Sequence, residues 1–322
     1  MKSRVCLLGI GVCLALAGST SSQAATWYVN DTYSAGVDVY TTAAGNDANS
    51  GQTPGLPKRS VNSVLTNALV PGDVLLIDTG TYDPFTVPAT VNGAAGNRIR
   101  FQGSTNTAAG GTVFVGSGVL ITVRGQHLEF RDIRTDGGAS GFSLVGSSHG
   151  LYEQVFALNT SQNALITSGT SSSNSIRRSV FKSGPWSAIA FNGGSANIIE
   201  NSILVSSGGS AVYALPGTVS NVYGGIASVD RIFSSIASMP DRGSRNVFEW
   251  GTLFHGDYET LNDLQAAHSN WHGNIVATPM FVNADGLDFH LISPMGYVTN
   301  DGGWVTNAAV GYSPAIDFGK KE

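Results

Sequence analysis

Hydrophobic and polar positions in the middle of this chain recur in a window of about 23 residues. Four segments align without gaps: Phe130-Arg131-Asp132-Ile133, Tyr152-Glu153-Gln154-Val155, Ile176-Arg177-Arg178-Ser179 and Ile199-Glu200-Asn201-Ser202. Their first positions lie 22, 24 and 23 residues apart. A second set keeps nearly the same step: Gly141-Phe142-Ser143-Leu144, Ala164-Leu165-Ile166-Thr167, Ala188-Ile189-Ala190-Phe191 and Ala211-Val212-Tyr213-Ala214. Each repeat thus carries at least two short strand segments, with room for a third, separated by Gly/Ser/Asn turns. At ~3.3 Å per residue such a repeat closes one coil, and the next coil stacks on it at ~4.8 Å. A leucine-rich repeat would need a leucine pattern that is missing, and a propeller blade needs about 40 residues. The pattern predicts an all-β protein, a right-handed parallel β-helix.

In such a stack, equivalent positions sit above one another. Phe130, Tyr152, Ile176 and Ile199 then form an inward apolar column. Arg131, Glu153, Arg177 and Glu200 form an outward column whose charge alternates at every step. Of the five charged residues between Gly137 and Val229, three belong to this column. Alternation removes like-charge repulsion and fixes register, each exposed pair contributing ~0.2–1 kcal/mol. The next column, Asp132, Gln154, Arg178 and Asn201, is polar, as expected where side chains satisfy a turn. Arg178 is its odd member and must pair with Asp132 or Glu200, or reach solvent. With Lys182 and Glu153 it forms the candidate site within the coils.

Upstream, Thr26-Trp27-Tyr28-Val29 reads as a strand. Ser60 can cap a helix running to about Leu69, with Val61, Val64, Leu65 and Leu69 on one face. A helix there would close the N-terminal end of the stack. Downstream, a short helix is expected from about Thr260 to His268. Residues 25–98 are therefore read as N-terminal helical cap and first coils, 99–250 as repeat coils, and 251–322 as C-terminal loops and closing strands of a single domain. His268 and His272 are four apart, but the residues around them break a helix, and no metal site is assigned.

The first 24 residues change the picture of location. Lys2 and Arg4 precede the apolar run Val5–Ala17, too short to span a bilayer, and Ser22-Gln23-Ala24 suits a signal peptidase. Cleavage is expected after Ala24, with Ala25 the alternative, and the product is expected to be secreted. Both cysteines, Cys6 and Cys13, fall in this leader, so the remainder holds no disulfide. It carries 15 basic against 22 acidic residues, which argues against nucleic acid as a partner. No later run is long enough for a membrane helix.

Gly45-Asn46-Asp47-Ala48-Asn49-Ser50-Gly51, Pro71-Gly72-Asp73 and Gly80-Thr81-Tyr82 resemble the N-terminal signature of secreted bacterial right-handed parallel β-helix proteins, the polysaccharide-lyase-like group. Pro279-Met280-Phe281-Val282, Asp288-Phe289-His290-Leu291 and Ser313-Pro314-Ala315-Ile316-Asp317 are similar to its C-terminal part. Members usually continue past this last segment, so the final coil here is either truncated or closed differently. The resemblance implies a monomer that binds or cleaves an extracellular polysaccharide. The alternative is a non-catalytic surface or adhesion β-helix. For a lyase it implies a Lys or Arg base, with calcium neutralising the uronate carboxylate. Arg178 or Lys182 would be the base, with Glu153, Glu200 and Asp132 around it. No Asp-rich calcium cluster is visible, and no cofactor is implied outside the lyase reading. Asp132 and Glu153, on adjacent coils, are also the pair that a glycosidase would need ~5–9 Å apart. Arg177, Trp250 and Trp271 are the candidate substrate-binding residues.

Overall fold

The computed structural model describes residues 23–215 without a break. Beyond them it describes 218–223, 226–228, 231–233, 242–244, 246–249, 260–272, 274–277, 281–283, 288–291, 297–298 and 304–305. Among these residues, parallel strands form three long sheets of 10, 9 and 7 members. Successive strands along the chain enter the first, second and third sheet in turn, so each circuit is one coil. One circuit runs through Leu128–Arg131, Ile133–Asp136 and Ser140–Val145 before Leu151–Glu153 starts the next. The protein is a parallel β-helix.

The register follows the sequence columns. Tyr152 pairs with Phe130 and Ile176, and Ile176 with Ile199. In the third sheet Phe142 pairs with Leu165, Leu165 with Ile189 and Ile189 with Val212. The inward column is buried throughout. Its aromatic part is a stack: Phe101 on Phe130 at 4.7 Å, and Phe130 on Tyr152 at 5.3 Å, with interplanar angles of 9° and 3°. Phe142 from the third sheet meets both Phe130 and Tyr152 edge-on. Buried Asn174 and Asn197 continue the order at the corner before the first sheet, where the Asn174 amide donates to Asn197 at 3.0 Å.

The corner after the first sheet is turned by one left-handed residue per coil. Asp132, Gln154, Arg178 and Asn201 have φ of 52°, 53°, 51° and 45°. A second left-handed column, His127, His149, Ser173 and Ala196, turns the corner before that sheet. Gly103, one coil before Asp132, lies so close to it that an added Cβ would sit 2.0 Å from the Asp132 carbonyl oxygen. Gly103→Ala is therefore expected to cost about 3 kcal/mol or more, read as a fall in the denaturant midpoint.

At the N-terminal end the expected helix is a single turn, Val61–Val64. Ser60 caps it as predicted, accepting from the Ser63 amide. Continuation to Leu69 fails because side chains take the carbonyls it would use. Thr66 donates to Ser63, and Asn67 donates to Ser63 and Val64. The edge strand Thr26–Val29 is instead flanked by backbone bonds between Tyr28 and Gly51 and between Lys58 and Tyr28. Downstream, the expected helix is present as Leu261–Ala267, with Thr260 and Asp263 forming a capping box. The leader before residue 23 and the segment 306–322 lie outside the described residues.

Candidate functional site

The outer face of the first sheet carries two outward columns, separated by the inward one. One contains Arg100 and Glu129, and the other Arg131, Glu153, Arg177 and Glu200. Period-two alternation puts both columns on the same face, so charges two residues apart in a strand become neighbours. An ion-pair lattice results. Arg100 Nε contacts Glu129 at 3.0 Å, and Arg131 bridges Glu129 and Glu153, reaching the latter at 2.7 Å. Arg177 and Arg178 contact Glu153 Oε1 at 3.1 and 3.3 Å.

Glu153 is thus the hub. It points away from the coil as expected, but its side chain is only 2% exposed, covered by arginine side chains that are themselves 30–50% exposed. Long arginine stems bury the carboxylate while keeping their charged ends wet. Three charge-assisted contacts to one carboxylate offset its desolvation. Arg178 pairs with Glu153, neither of the two acids that the column pattern offers it.

The remaining candidates are divided. Asp132 lies at the corner of this face, where Gln102 donates to it at 2.7 Å. Burial, and secondarily Glu153, raise its pKa, while the Gln102 bond and Arg131 act against that. Tyr40 completes the corner, donating to the Gly103 carbonyl at 2.9 Å. Its phenol is pushed up by burial first and then by Asp132. Glu200 pairs with Arg177 in backbone register, yet makes no ion pair among the described residues. Lys182 is in Val180–Ser183 of the second sheet, opposite Val205, and so is not on this face. The structure brings together Arg177, Arg178, Glu153 and Asp132, with Glu200 one coil further along the same column, but not Lys182. Trp250 lies outside the described residues. Trp271 is described only as part of a two-residue strand.

Arg100 and Glu129 were not singled out from the sequence, although they stand opposite each other with opposite signs in one outward column. The other rim of the face was also unmarked. There Arg98 donates to the His149 carbonyl, and His149 stacks on His127 at 4.6 Å with 6° between the rings. Arg98, Arg100 and Glu129 line a shallow recess with Gly72, Val74 and Asn97. In total the face and its rims hold five arginines against four acids, Glu129, Asp132, Glu153 and Glu200.

Burial, then His149 and Arg98, lower the His127 pKa. A histidine with a depressed folded pKa contributes stability above the ordinary histidine range and loses it as pH falls through the lowered value. The unfolding midpoint is therefore expected to drop between about pH 8 and pH 5. In His127→Asn, which retains a residue tolerant of positive φ, that drop should shrink.

A lyase-type calcium would need carboxylates free to bind it. Of the three glutamates of the face, Glu129 and Glu153 are held by arginines, and among the described residues no three His, Cys, Asp or Glu side chains converge as metal ligands. The face does not fit a catalytic calcium. Its arginines themselves offer the positive charge that would neutralise a uronate carboxylate.

The fold defines a class, the parallel β-helix proteins. The chain is similar in structure to pectate lyase Pel9A, with a TM-score of 0.50 and 15% identity over 93% of each chain. An alginate lyase from Paenibacillus sp. str. FPU-7 gives a TM-score of 0.43 and 15% identity, over 61% of this chain and 88% of that one. A rhamnogalacturonan lyase gives 0.48 and 13%, over 70% and 69%. At such identities the likeness is one of fold. The resemblance read from the terminal motifs is borne out to that extent. No family model matches the sequence, and no curated protein matches it.

Proposed function

We propose that this is an exported, carbohydrate-active β-helix protein that binds an acidic extracellular polysaccharide across the outer face of its first sheet. The observation that carries this reading is the arginine-rich face on a chain whose formal net charge is −5. Arg98, Arg100, Arg131, Arg177 and Arg178 span several stacked coils. Arg131 and Arg177 stand two coils apart in their column, about 10 Å at ~4.8 Å per coil, and such a spacing of planar guanidinium groups suits a linear polymer that carries carboxylates along its length. The fold shared with pectate lyase Pel9A supports a polysaccharide as the partner. The leader motif supports export, and among the described residues no helix is long and apolar enough to cross a membrane.

For cleavage, the reaction class would be β-elimination from a uronate. Arg178 would take the proton from the carbon next to the carboxylate while Arg131 and Arg177 neutralise that carboxylate. The carbon–oxygen bond to the departing sugar breaks as the carbon–carbon double bond forms, and the sugar oxygen takes a proton from water. One observation favours a second, non-catalytic reading as a surface or adhesion protein. Glu153 is saturated by arginines, as expected of a lattice that locks register.

Incubation with a panel of uronate polysaccharides, with and without calcium, separates the two. Ultraviolet absorbance from unsaturated sugar ends is the expected result for at least one polymer. Retention by the polymer without absorbance assigns the adhesion reading. Neither signal on any uronate polymer overturns the proposal.

A further inference from the structure

We infer that the corner following the first strand is a calcium site, separate from the arginine face. Asn30 comes directly after Thr26–Val29 and is fully buried. Its amide nitrogen lies against three oxygens: Asp38 Oδ2 at 3.1 Å, Thr41 Oγ1 at 2.8 Å and the Ala43 carbonyl at 3.1 Å. An amide nitrogen has two hydrogens, so these acceptors outnumber the donors. The Thr41 hydroxyl gives its own hydrogen to Asp78 at 2.8 Å and here can only accept. Meanwhile Asn30 Oδ1 and Asp38 Oδ1 are both buried with no hydrogen-bond partner. Asp38 Oδ2 also accepts from the Ser34 amide at 2.7 Å, but no cation pairs with Asp38 among the described residues. The pocket is oversupplied with oxygen and short of positive charge, an arrangement that is costly when buried. Asp31, Asp38 and Asp78 all act on the neighbouring Tyr82, whose hydroxyl is pushed up by burial first and then by these carboxylates.

A hard cation resolves this imbalance. The two orientations of an amide are nearly isosteric. Turning Asn30 over places its Oδ1 beside the Asp38 carboxylate, the Thr41 hydroxyl and the Ala43 carbonyl. Without a cation those four oxygens repel, and with one they are ligands. Calcium takes 6–8 oxygens at 2.3–2.6 Å and accepts this mixture of carboxylate, amide, carbonyl and hydroxyl, with water completing the shell. Magnesium demands a more regular octahedron. The bond from Thr41 to Asp78 would orient the hydroxyl ligand from outside the shell. A single carboxylate ligand places the affinity on the order of 10⁻⁴ to 10⁻³ M, the range of extracellular calcium modules. Bound calcium would pin residues 31–43 to the first strand. The same loop is already held by Asp78, which accepts from the amides of Val39, Tyr40 and Thr41.

Calcium titration by calorimetry on the purified wild-type protein and on Asp38→Asn tests the site. Circular dichroism verifies that the isosteric variant is folded. One bound calcium is expected in the wild type and a loss of at least tenfold in affinity in Asp38→Asn. The wild-type unfolding midpoint should rise by roughly 5 °C at calcium about 100-fold above Kd. Absence of binding in the wild type overturns the inference, as does equal binding by the two proteins. If Asp38→Asn does not fold, Asn30→Asp is read instead. It adds a carboxylate to the same cage and should tighten calcium binding, and unchanged or weaker binding overturns the site.

Discussion

Replacing Phe130 with alanine is expected to lower the stability of the coil stack by about 3–5 kcal/mol. Phe130 is fully buried and stacks on Phe101 on one side and Tyr152 on the other, with Phe142 against its edge. Its removal deletes two stacked contacts and one edge contact and leaves a hole between coils that cannot collapse. The coils on either side are fixed by backbone pairing with the strand that carries Phe130. Ile199→Val, a one-methylene change further along the same column, should cost only about 1 kcal/mol. Urea unfolding of both variants checks the contrast. Equal midpoints would show that the column does not behave as a continuous core.

The second large effect concerns the arginine face. The double variant Arg98→Gln/Arg177→Gln is expected to weaken binding of a uronate polymer on the order of 100-fold, with roughly tenfold from each guanidinium. This pair is chosen because the lattice stays satisfied without it. Glu153 retains Arg131 and Arg178, and Glu129 retains Arg100 and Arg131. The unfolding midpoint should therefore change little while binding falls. By contrast, Glu153→Leu removes the hub of the lattice and should shift stability more than binding. A double variant that binds like the wild type would place the polymer elsewhere.

The columns of Phe130 and Phe142 are legible because inward positions repeat both in polarity and in spacing, and each residue pairs with its equivalent one coil away. The electrostatics are less so. Alternating signs in Arg131, Glu153, Arg177 and Glu200 suggest a simple ladder, yet side-chain reach decides the contacts. Arg131 turns back to Glu129 as well as forward to Glu153, and Glu200 stays outside the lattice. Arg178 reaches Glu153 from a corner because its backbone is left-handed, a conformation that an arginine does not advertise. Lys182 is four residues from Arg178, but the corner between them sends it to another sheet. Helical spacing at Val61, Val64, Leu65 and Leu69 is real, yet Thr66 and Asn67 compete for the carbonyls and limit the helix to one turn. The unpaired oxygens of Asn30 and Asp38 have no sequence signature, since only the fold of the loop brings them together.

Affinity electrophoresis of the wild-type protein through gels containing a uronate polysaccharide, compared with gels containing a neutral glucan, tests the central claim most directly. Retardation by the uronate polymer alone, weakening as salt is raised, is the predicted result, because the face acts through its arginine charges. Migration unaffected by any uronate polymer would contradict the account.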